Sequence, residues 1–131
     1  MVNFSTDEFI DAWINHAAAD PDSQEEERYM WALERELELH RPGNQRMLWN
    51  FIKHVIRRDL SQRVIGKFAA GPLEGLITDY GPEFIDQIEE LAMSCEQFNF
   101  ALGGVLESMD VDPDVWRRIE AVRKSSWDDD L

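Results

Sequence analysis

Boundary signals for helices recur along this chain and limit it to short helical segments. All five prolines of the 131-residue sequence stand at predicted helix ends or starts, because proline lacks an N–H and clashes inside a helix. Asp20-Pro21 ends the first segment, for example, and Asp112-Pro113 begins the last. The sequence contains no sustained alternation of apolar and polar residues between hairpin turns, although residues 64–65 and 104–106 are ambiguous. We therefore predict an all-α fold.

Between these boundaries, apolar residues recur three and four positions apart, so each segment has one face to bury. We predict a compact single domain of about six or seven short helices over residues 1–124, loosely like a helical repeat. Residues 125–131 are predicted to form an acidic, flexible tail. The predicted helices cover about residues 6–19, 24–40, 45–59, 72–80, 82–92, 98–106 and 113–122, with a short segment at 64–70.

Two segments carry specific start signals. Ser23 and Glu26 have the spacing of a capping box at the start of the second helix. Gly71, Pro72 and Glu74 have the form of another start, in which Gly71 is the cap and the Glu74 carboxylate returns to its N–H. This capping role accounts for Glu74 without a functional one.

Two pairs that contain glycine predict interruptions in the second half of the chain. Gly81-Pro82 should stop one helix at Tyr80 and open another. Gly103-Gly104 should weaken the short helix that carries it, because glycine is a poor helix former.

The chain is strongly acidic, with 27 acidic and 13 basic side chains and a net charge of −14. Such a field repels phosphate backbones and anionic lipids and attracts a basic partner, so direct nucleic-acid or membrane binding is disfavoured. One cysteine, Cys95, excludes a disulfide framework within the chain. The sequence has no apolar run long enough to span a bilayer and no secretory leader before Phe4, so we expect a cytoplasmic protein.

The residue types that bind metals or attack substrates lack the spacing that this chemistry needs. His16, His40 and His54 lie on three different predicted helices and form no metal-binding pair. Cys95 is followed by Glu96 rather than by a basic residue, which argues against a reactive thiolate. We therefore predict no metal and no cofactor.

Paired carboxylates, such as Glu89-Glu90 and Glu34 with Glu38, are plentiful. General acid–base catalysis needs a carboxylate in a dry pocket, however, and a chain this acidic carries most of its carboxylates on solvated faces. We predict no catalytic residue and a protein that is not an enzyme.

Positive charge is concentrated in one stretch. Residues 42–68 hold six basic side chains and one acidic one, whereas both flanking stretches are negative. On the third predicted helix, Arg46, Asn50, Lys53 and Arg57 form a polar stripe opposite the apolar face. We favour neutralisation of the neighbouring acidic helices as the role of this stripe. Contact with an anion or a nucleic acid is the alternative.

The second helix carries the first candidate binding surface. Its predicted buried stripe is formed by Tyr29, Met30, Leu33 and Leu37. A roughly opposite face is shared by Glu27, Trp31, Glu34 and Glu38. An aromatic side chain among carboxylates is what a hot spot for a basic partner requires. In the alternative, Trp31 packs on a neighbouring helix and only the acids are exposed.

The end of the chain offers a second candidate surface. Its members are one aromatic residue and the three acids that follow it, Trp127, Asp128, Asp129 and Asp130. A disordered acidic end is the alternative explanation of this composition.

Several motifs resemble a known family. At residues 69–74, Ala-Ala-Gly-Pro-Leu-Glu, the chain resembles a family of small bacterial proteins known only as a domain of unknown function. The resemblance extends over about residues 10–123. It includes Gly-x-x-Phe-Ile-Asp-x-Ile-Glu at 81–89 and Ala-Leu-Gly-Gly-Val at 101–105. It implies a bacterial origin and a helical fold, and it implies no chemistry.

These observations predict a non-enzymatic interaction module that binds and occludes a basic protein. The most concrete form of this prediction is a bacterial immunity protein that neutralises a toxin. One alternative is a nucleic-acid mimic of the anti-CRISPR or anti-restriction type. Another is an uncharacterised enzyme with a carboxylate site. The sequence does not specify the oligomeric state.

Overall fold

The computed structural model describes residues 6–127 as helices joined by short turns. The α-helices are α1 (Thr6–Ala18), α2 (Gln24–Glu38), α3 (Gln45–Ile56), α4 (Gln62–Phe68), α5 (Glu74–Ser94), α6 (Glu96–Leu102) and α7 (Pro113–Val122). A π-helical turn, Ala69–Leu73, connects α4 to α5. Within the described range no residue lies in a β-strand, and the ambiguous residues 64–65 belong to α4. The predicted all-α fold is confirmed.

The chain divides between Val64 and Ile65 into two compact units. Unit 1 contains α1, α2, α3 and the first residues of α4. Unit 2 contains the remainder of α4 and all that follows it. The prediction of one helical domain over residues 1–124 stays a prediction.

α2 starts with the cap that its sequence predicts. The Ser23 hydroxyl accepts a hydrogen bond from the Glu26 N–H at 3.1 Å. The Glu26 carboxylate in turn accepts from the N–H of Asp22, also at 3.1 Å, which is one residue before the position that a capping box uses. Asp22 has a φ of 62°, a left-handed conformation that aspartate tolerates better than most residues. The turn into α2 is therefore fixed by local hydrogen bonds.

Aromatic side chains of α1 and α3 form the centre of unit 1. Phe9 stacks on Phe51 with the ring centroids 5.0 Å apart, and Trp13 meets the Phe51 ring edge-on at 5.6 Å. All three side chains are buried. Such ring pairs contribute about 0.5–1.5 kcal/mol each beyond the area that they bury. These rings therefore hold α1 against α3.

α2 packs with a face different from the predicted one. Ala32 and Glu36 are buried, whereas Leu37 is 58% exposed and Tyr29 and Leu33 are only half-buried. The small side chain of Ala32 lets α1 come close, and Glu36 finds a hydrogen-bond donor on α1. The predicted buried stripe of α2 is therefore wrong. Glu36 is buried because Trp13 supplies a hydrogen-bond donor for its carboxylate, and Leu37 is left exposed.

Unit 2 opens with a helical segment that lacks the predicted break. Gly71 does not cap a helix, because the π-helical turn runs from α4 into α5 without an end. The Glu74 N–H bonds to the carbonyl of Ala69, five residues earlier, as in a π helix. This wider turn accommodates Pro72, which has no N–H and would clash with an ordinary helical turn. The predicted cap at Gly71 is wrong.

The Glu74 carboxylate has a partner other than the predicted one. Its Oε1 accepts a hydrogen bond from the N–H of Leu106 at 3.3 Å. Leu106 lies in the loop that follows α6. Glu74 therefore ties the start of α5 to a distant loop, and its predicted return to the Gly71 N–H is a misassignment.

α5 changes direction at Tyr80 and continues to Ser94. Tyr80 leaves the helical region, with φ −135° and ψ 16°, and Pro82 lies inside the same helix. The sequence therefore located the interruption correctly, although it is a kink and not an end. Gly81 beside it is buried, and a Cβ there would lie 2.8 Å from Cγ1 of Val115 on α7. Glycine at this position lets α7 approach α5 closely.

Asn99 joins three segments of unit 2. Its side-chain amide donates to the carbonyls of Ala92 and Val122, each at 3.1 Å. Its side-chain oxygen accepts from the Lys124 N–H at 2.8 Å. The residue is buried, so these bonds replace the water that its amide would otherwise need. Asn99 therefore fixes the ends of α5 and α7 against α6.

Trp127 packs on the Gly103-Gly104 pair at the end of α6. Its indole N–H donates to the carbonyl of Phe100 at 2.9 Å, and the two rings lie 5.3 Å apart. Its backbone N–H bonds to the carbonyl of Gly103 at 2.9 Å. α6 ends at Leu102, four residues before the predicted end. The prediction of a flexible tail from residue 125 stays a prediction, although Trp127 packs on α6.

Replacing Gly104 with alanine should destabilise unit 2. A Cβ on Gly104 would lie 2.5 Å from the Trp127 ring, so the ring or the backbone must move. Overpacking of this kind typically costs about 1–3 kcal/mol in the free energy of unfolding, which guanidinium titration measures.

Gly66→Ala is the matched control for Gly104→Ala. Gly66 lies in α4, and a Cβ there meets nothing within 4 Å. Because alanine is the better helix former, this variant should be stabilised by about 0.5–1 kcal/mol. Equal effects of the two substitutions would show that Trp127 does not require a glycine beneath it.

Candidate functional site

α2 presents three carboxylates on one exposed face. Glu27, Glu34 and Glu38 are four or seven residues apart, which places them in one stripe of the helix. All three side chains are exposed, and none of them is ion-paired with another residue in the described range. Their charge is available to a partner.

Trp31 belongs to the same stripe and is half-buried. Its ring centroid lies 6.2 Å from that of Phe9 on α1, with the two planes tilted by 36°. The indole is therefore partly packed on α1 and partly accessible. Trp31 therefore packs in part on a neighbouring helix, and its role as a hot spot stays a prediction. We call Glu27, Trp31, Glu34 and Glu38 the acidic face.

The second candidate surface of the sequence falls mostly outside the described residues. Its three acids, Asp128, Asp129 and Asp130, lie outside the described residues. Trp127 is described, and its indole N–H already has an acceptor on α6. Trp127 is half-buried in its packing site on Gly104, and its role as a partner anchor stays a prediction.

Glu36 is a buried acid that the sequence analysis missed. It is 2% exposed, and its carboxylate accepts hydrogen bonds from the indole N–H of Trp13, at 3.4 Å, and from Nε2 of His40. The Glu36 and His40 positions are one helical turn apart, a spacing that could have indicated the pair. Glu36 links α1 to α2 and so fixes which side of α2 faces outward.

Two acidic residues of α1 and one that follows it pair with arginines that follow α3. Arg58 pairs with Asp7 and Asp11, and Arg63 pairs with Asp20, which follows α1. Both arginines lie in the basic stretch that the sequence identified. Most of these side chains are well exposed, so each pair contributes little stability. Their effect is to remove acidic charge from that side of unit 1.

The basic side chains of the α3 stripe make no ion pair in the described residues. Arg46, Lys53 and Arg57 form no ion pair with any residue from 6 to 127. The Lys53 ammonium instead lies 5.8 Å from the ring centroid of Trp49. These three residues therefore make no close ion pair with the acidic helices in the described range, and their role stays a prediction.

A groove of about 270 Å³ lies between α1, α2 and α3 in unit 1. Phe9, Leu39 and Phe51 contribute apolar surface to it, and Arg35 and His54 contribute polar groups. Its residues come from three helices, so no local pattern in the sequence predicts it.

The histidines occupy three different environments. His16 is buried in α1, His40 bonds to Glu36, and His54 is exposed at the groove. Cys95 is half-buried between α5 and α6. In the part of the chain that the structure describes, no three His, Cys, Asp or Glu side chains are grouped to hold a metal ion. The same residues include no helix that is long and apolar enough to cross a membrane.

Glu89 is bound to α7. The Arg118 Nε donates to Glu89 Oε2 at 3.0 Å, and the same guanidinium also donates to Asp86. The hydrogen bonds from Arg118 lower the pKa of Glu89, and those to Glu89 and Asp86 raise the pKa of Arg118. A carboxylate held in its charged form serves an ion pair better than general acid catalysis.

The motifs at residues 69–105 that carry the family resemblance hold unit 2 together. Each of them contacts a distant part of the same unit. Glu74 bonds to Leu106, Gly81 lies against Val115, Asp86 and Glu89 pair with Arg118, and Gly104 lies beneath Trp127. The motifs therefore account for the fold of unit 2, whereas the acidic face and the groove lie in unit 1.

Comparison with protein families gives one result. The model of a family described only as a family of unknown function, DUF6869, matches residues 19–127. A search of curated proteins and a search of solved structures both found no match.

Replacing Arg118 with glutamine should lower the free energy of unfolding at pH 7 but not in acid. Because Arg118 lowers the pKa of folded Glu89, the stabilisation is present above the unfolded-state value of about 4.3. It is lost as the pH falls through the folded value. Urea titrations between pH 7 and pH 3 measure this. Arg117→Gln, which removes only an exposed pair with Asp114, should have little effect at either pH.

Replacing Glu36 with alanine should destabilise unit 1 by about 2 kcal/mol, because Trp13 and His40 lose a buried acceptor. Urea titration measures the change. The exposed Glu34, two residues earlier, is the control, and Glu34→Ala should stay within about 0.5 kcal/mol of the wild type. Similar losses in both variants would mean that Glu36 does not join α1 to α2.

Proposed function

The chain belongs to the family of unknown function DUF6869, and we propose that this member is a non-enzymatic module that binds a basic protein through its acidic face. The observation that carries this proposal is the set of three exposed, unpaired carboxylates on α2 beside a half-buried tryptophan. The most concrete form is a bacterial immunity protein that neutralises a toxin by occluding it.

The placement of Trp31 supports its use as an anchor. Phe9 backs one side of the indole, so few side-chain conformations remain to be lost when a partner covers the rest. Tryptophan is enriched among residues whose loss weakens an interface most. The carboxylates around it would supply the charged rim of such an interface.

The charge distribution supports steering of a basic partner. Glu27, Glu34 and Glu38 need not break an ion pair within the described chain before they meet a cation. The net charge of −14 adds a long-range attraction that raises association rates at low salt. Enzymes that act on nucleic acids have basic clefts, so carboxylates can take the place of the substrate's charge.

The bonding of several other acids favours binding over catalysis. Glu36 receives donors from Trp13 and His40, Glu74 receives a backbone N–H, and Glu89 is paired with Arg118. Each of these carboxylates therefore has a structural role that accounts for its position. The three carboxylates of the acidic face have no such structural role in the described residues.

The test uses the full chain and the product of the gene immediately upstream as the candidate partner. Reversing the charge of Glu27, Glu34 and Glu38 together to lysine should slow association at least about tenfold at low salt. Stopped-flow mixing over a range of ionic strength measures the rate. In cells, the same variant should protect less well against that gene product.

A matched control reverses three exposed acids of α5, Asp79, Glu83 and Glu90. It changes the net charge by the same amount and should slow association far less than the α2 variant. Equal slowing in the two variants would mean that net charge alone sets the association rate, and it would contradict binding through the acidic face. A partner that binds both variants as fast as the wild type would also overturn the assignment.

A further inference from the structure

The groove of unit 1 combines an apolar floor with polar side chains at its rim. Phe9 and Phe51 are nearly buried beneath it, while Met47 on one wall is 52% exposed. Arg35 from α2 and His54 from α3 are both exposed at the rim. The lining includes no acidic residue, although the chain carries 27. The groove thus differs in charge from most of the protein.

Arg35 is positioned for a ligand. Its guanidinium lies 4.9 Å from the centroid of the Phe9 ring, where a cation–π interaction holds it. No carboxylate in residues 6–127 is paired with it. A planar guanidinium that is stacked on one face still offers its N–H groups at the edge to a carboxylate. The residue is therefore a pre-arranged hydrogen-bond donor for an anion.

The neighbouring surface of α3 has the same sign of charge. Arg46, Lys53 and Arg57 lie on the face of α3 next to the groove wall that carries His54. α3 itself contains no acidic residue. The acids of α1 that could offset this charge, Asp7 and Asp11, are paired with Arg58. The groove lining and α3 therefore contain basic side chains and no acidic one.

We propose that this groove binds an acidic protein segment by taking one large apolar side chain onto the Phe9 and Phe51 floor while Arg35 pairs with an adjacent carboxylate. The volume of about 270 Å³ is below the roughly 300 Å³ at which pockets for drug-sized ligands begin, and it suits a side chain better than an enclosed small molecule. This inference is independent of the acidic face, which has the opposite charge and attracts the opposite kind of partner.

The probe is a short peptide of alternating glutamate and leucine, acetylated and amidated, added to the full isotope-labelled chain. Saturable NMR shift changes are expected at Arg35, Asn50 and His54. Two control peptides, one with lysine for glutamate and one with alanine for leucine, should bind at least about tenfold more weakly, because each lacks one of the two recognised groups.

Two substitutions of exposed side chains test the location. Met47→Glu places an acid on the groove wall and should weaken binding of the glutamate–leucine peptide at least about tenfold. Leu37→Glu makes the same kind of change at a 58% exposed site that does not line the groove, and it should leave the affinity within about twofold. Arg35→Gln, which removes the guanidinium charge and keeps part of the aliphatic stem, should also weaken binding.

Several outcomes would overturn the proposal. These are equal binding of the lysine peptide, shift changes confined to other surfaces, and equal losses in Met47→Glu and Leu37→Glu. Binding that occurs only after residues 1–5 are deleted would assign the groove to the chain's own N-terminal segment. None of these variants replaces a residue of the acidic face, and the two proposals concern partners of opposite charge, so they can fail separately.

Discussion

The Phe9 ring is the element on which both candidate surfaces of unit 1 depend. It stacks on Phe51, lies 6.2 Å from Trp31 and carries the Arg35 guanidinium at 4.9 Å. Trp31 belongs to the acidic face and Arg35 to the groove, so one side chain of α1 positions an aromatic anchor and a cation on α2. Because both groups rest on a fixed ring, a partner would lose little conformational freedom in covering them.

Local pairing decides the sign of charge at each surface more than the net charge does. Arg58 and Arg63 neutralise acids at both ends of α1, while α3 contributes only basic charge. Glu34 and Glu38 on α2 have no such partners in the described residues. A strongly acidic chain thereby presents, in the same unit, a face of unpaired carboxylates and a groove whose lining contains no acid.

The most distinctive motifs of the sequence have structural roles in unit 2. The sequence predicts that Gly103-Gly104 weakens a helix, yet in the structure Trp127 packs on this pair. Glu74 would be read as a helix cap, yet it bonds to Leu106. In each case the partner lies more than twenty residues away, beyond the reach of any local rule. Membership of a family of unknown function therefore marks a fold here, and it leaves the binding surfaces to be inferred from unit 1.

The sequence by itself determined the helical class and most helix limits. The caps at Ser23 and Asp112 form as predicted, because they depend on donors and acceptors within three residues along the chain. Only the tertiary structure decided which face of α2 is buried, how α4 joins α5 and where Arg35 lies. Those outcomes depend on what a distant segment supplies, as when Trp13 gives Glu36 a buried donor and Leu37 is left in solvent. A hydrophobic pattern indicates which residues can be buried. The segments that pack against them decide which of those residues are buried.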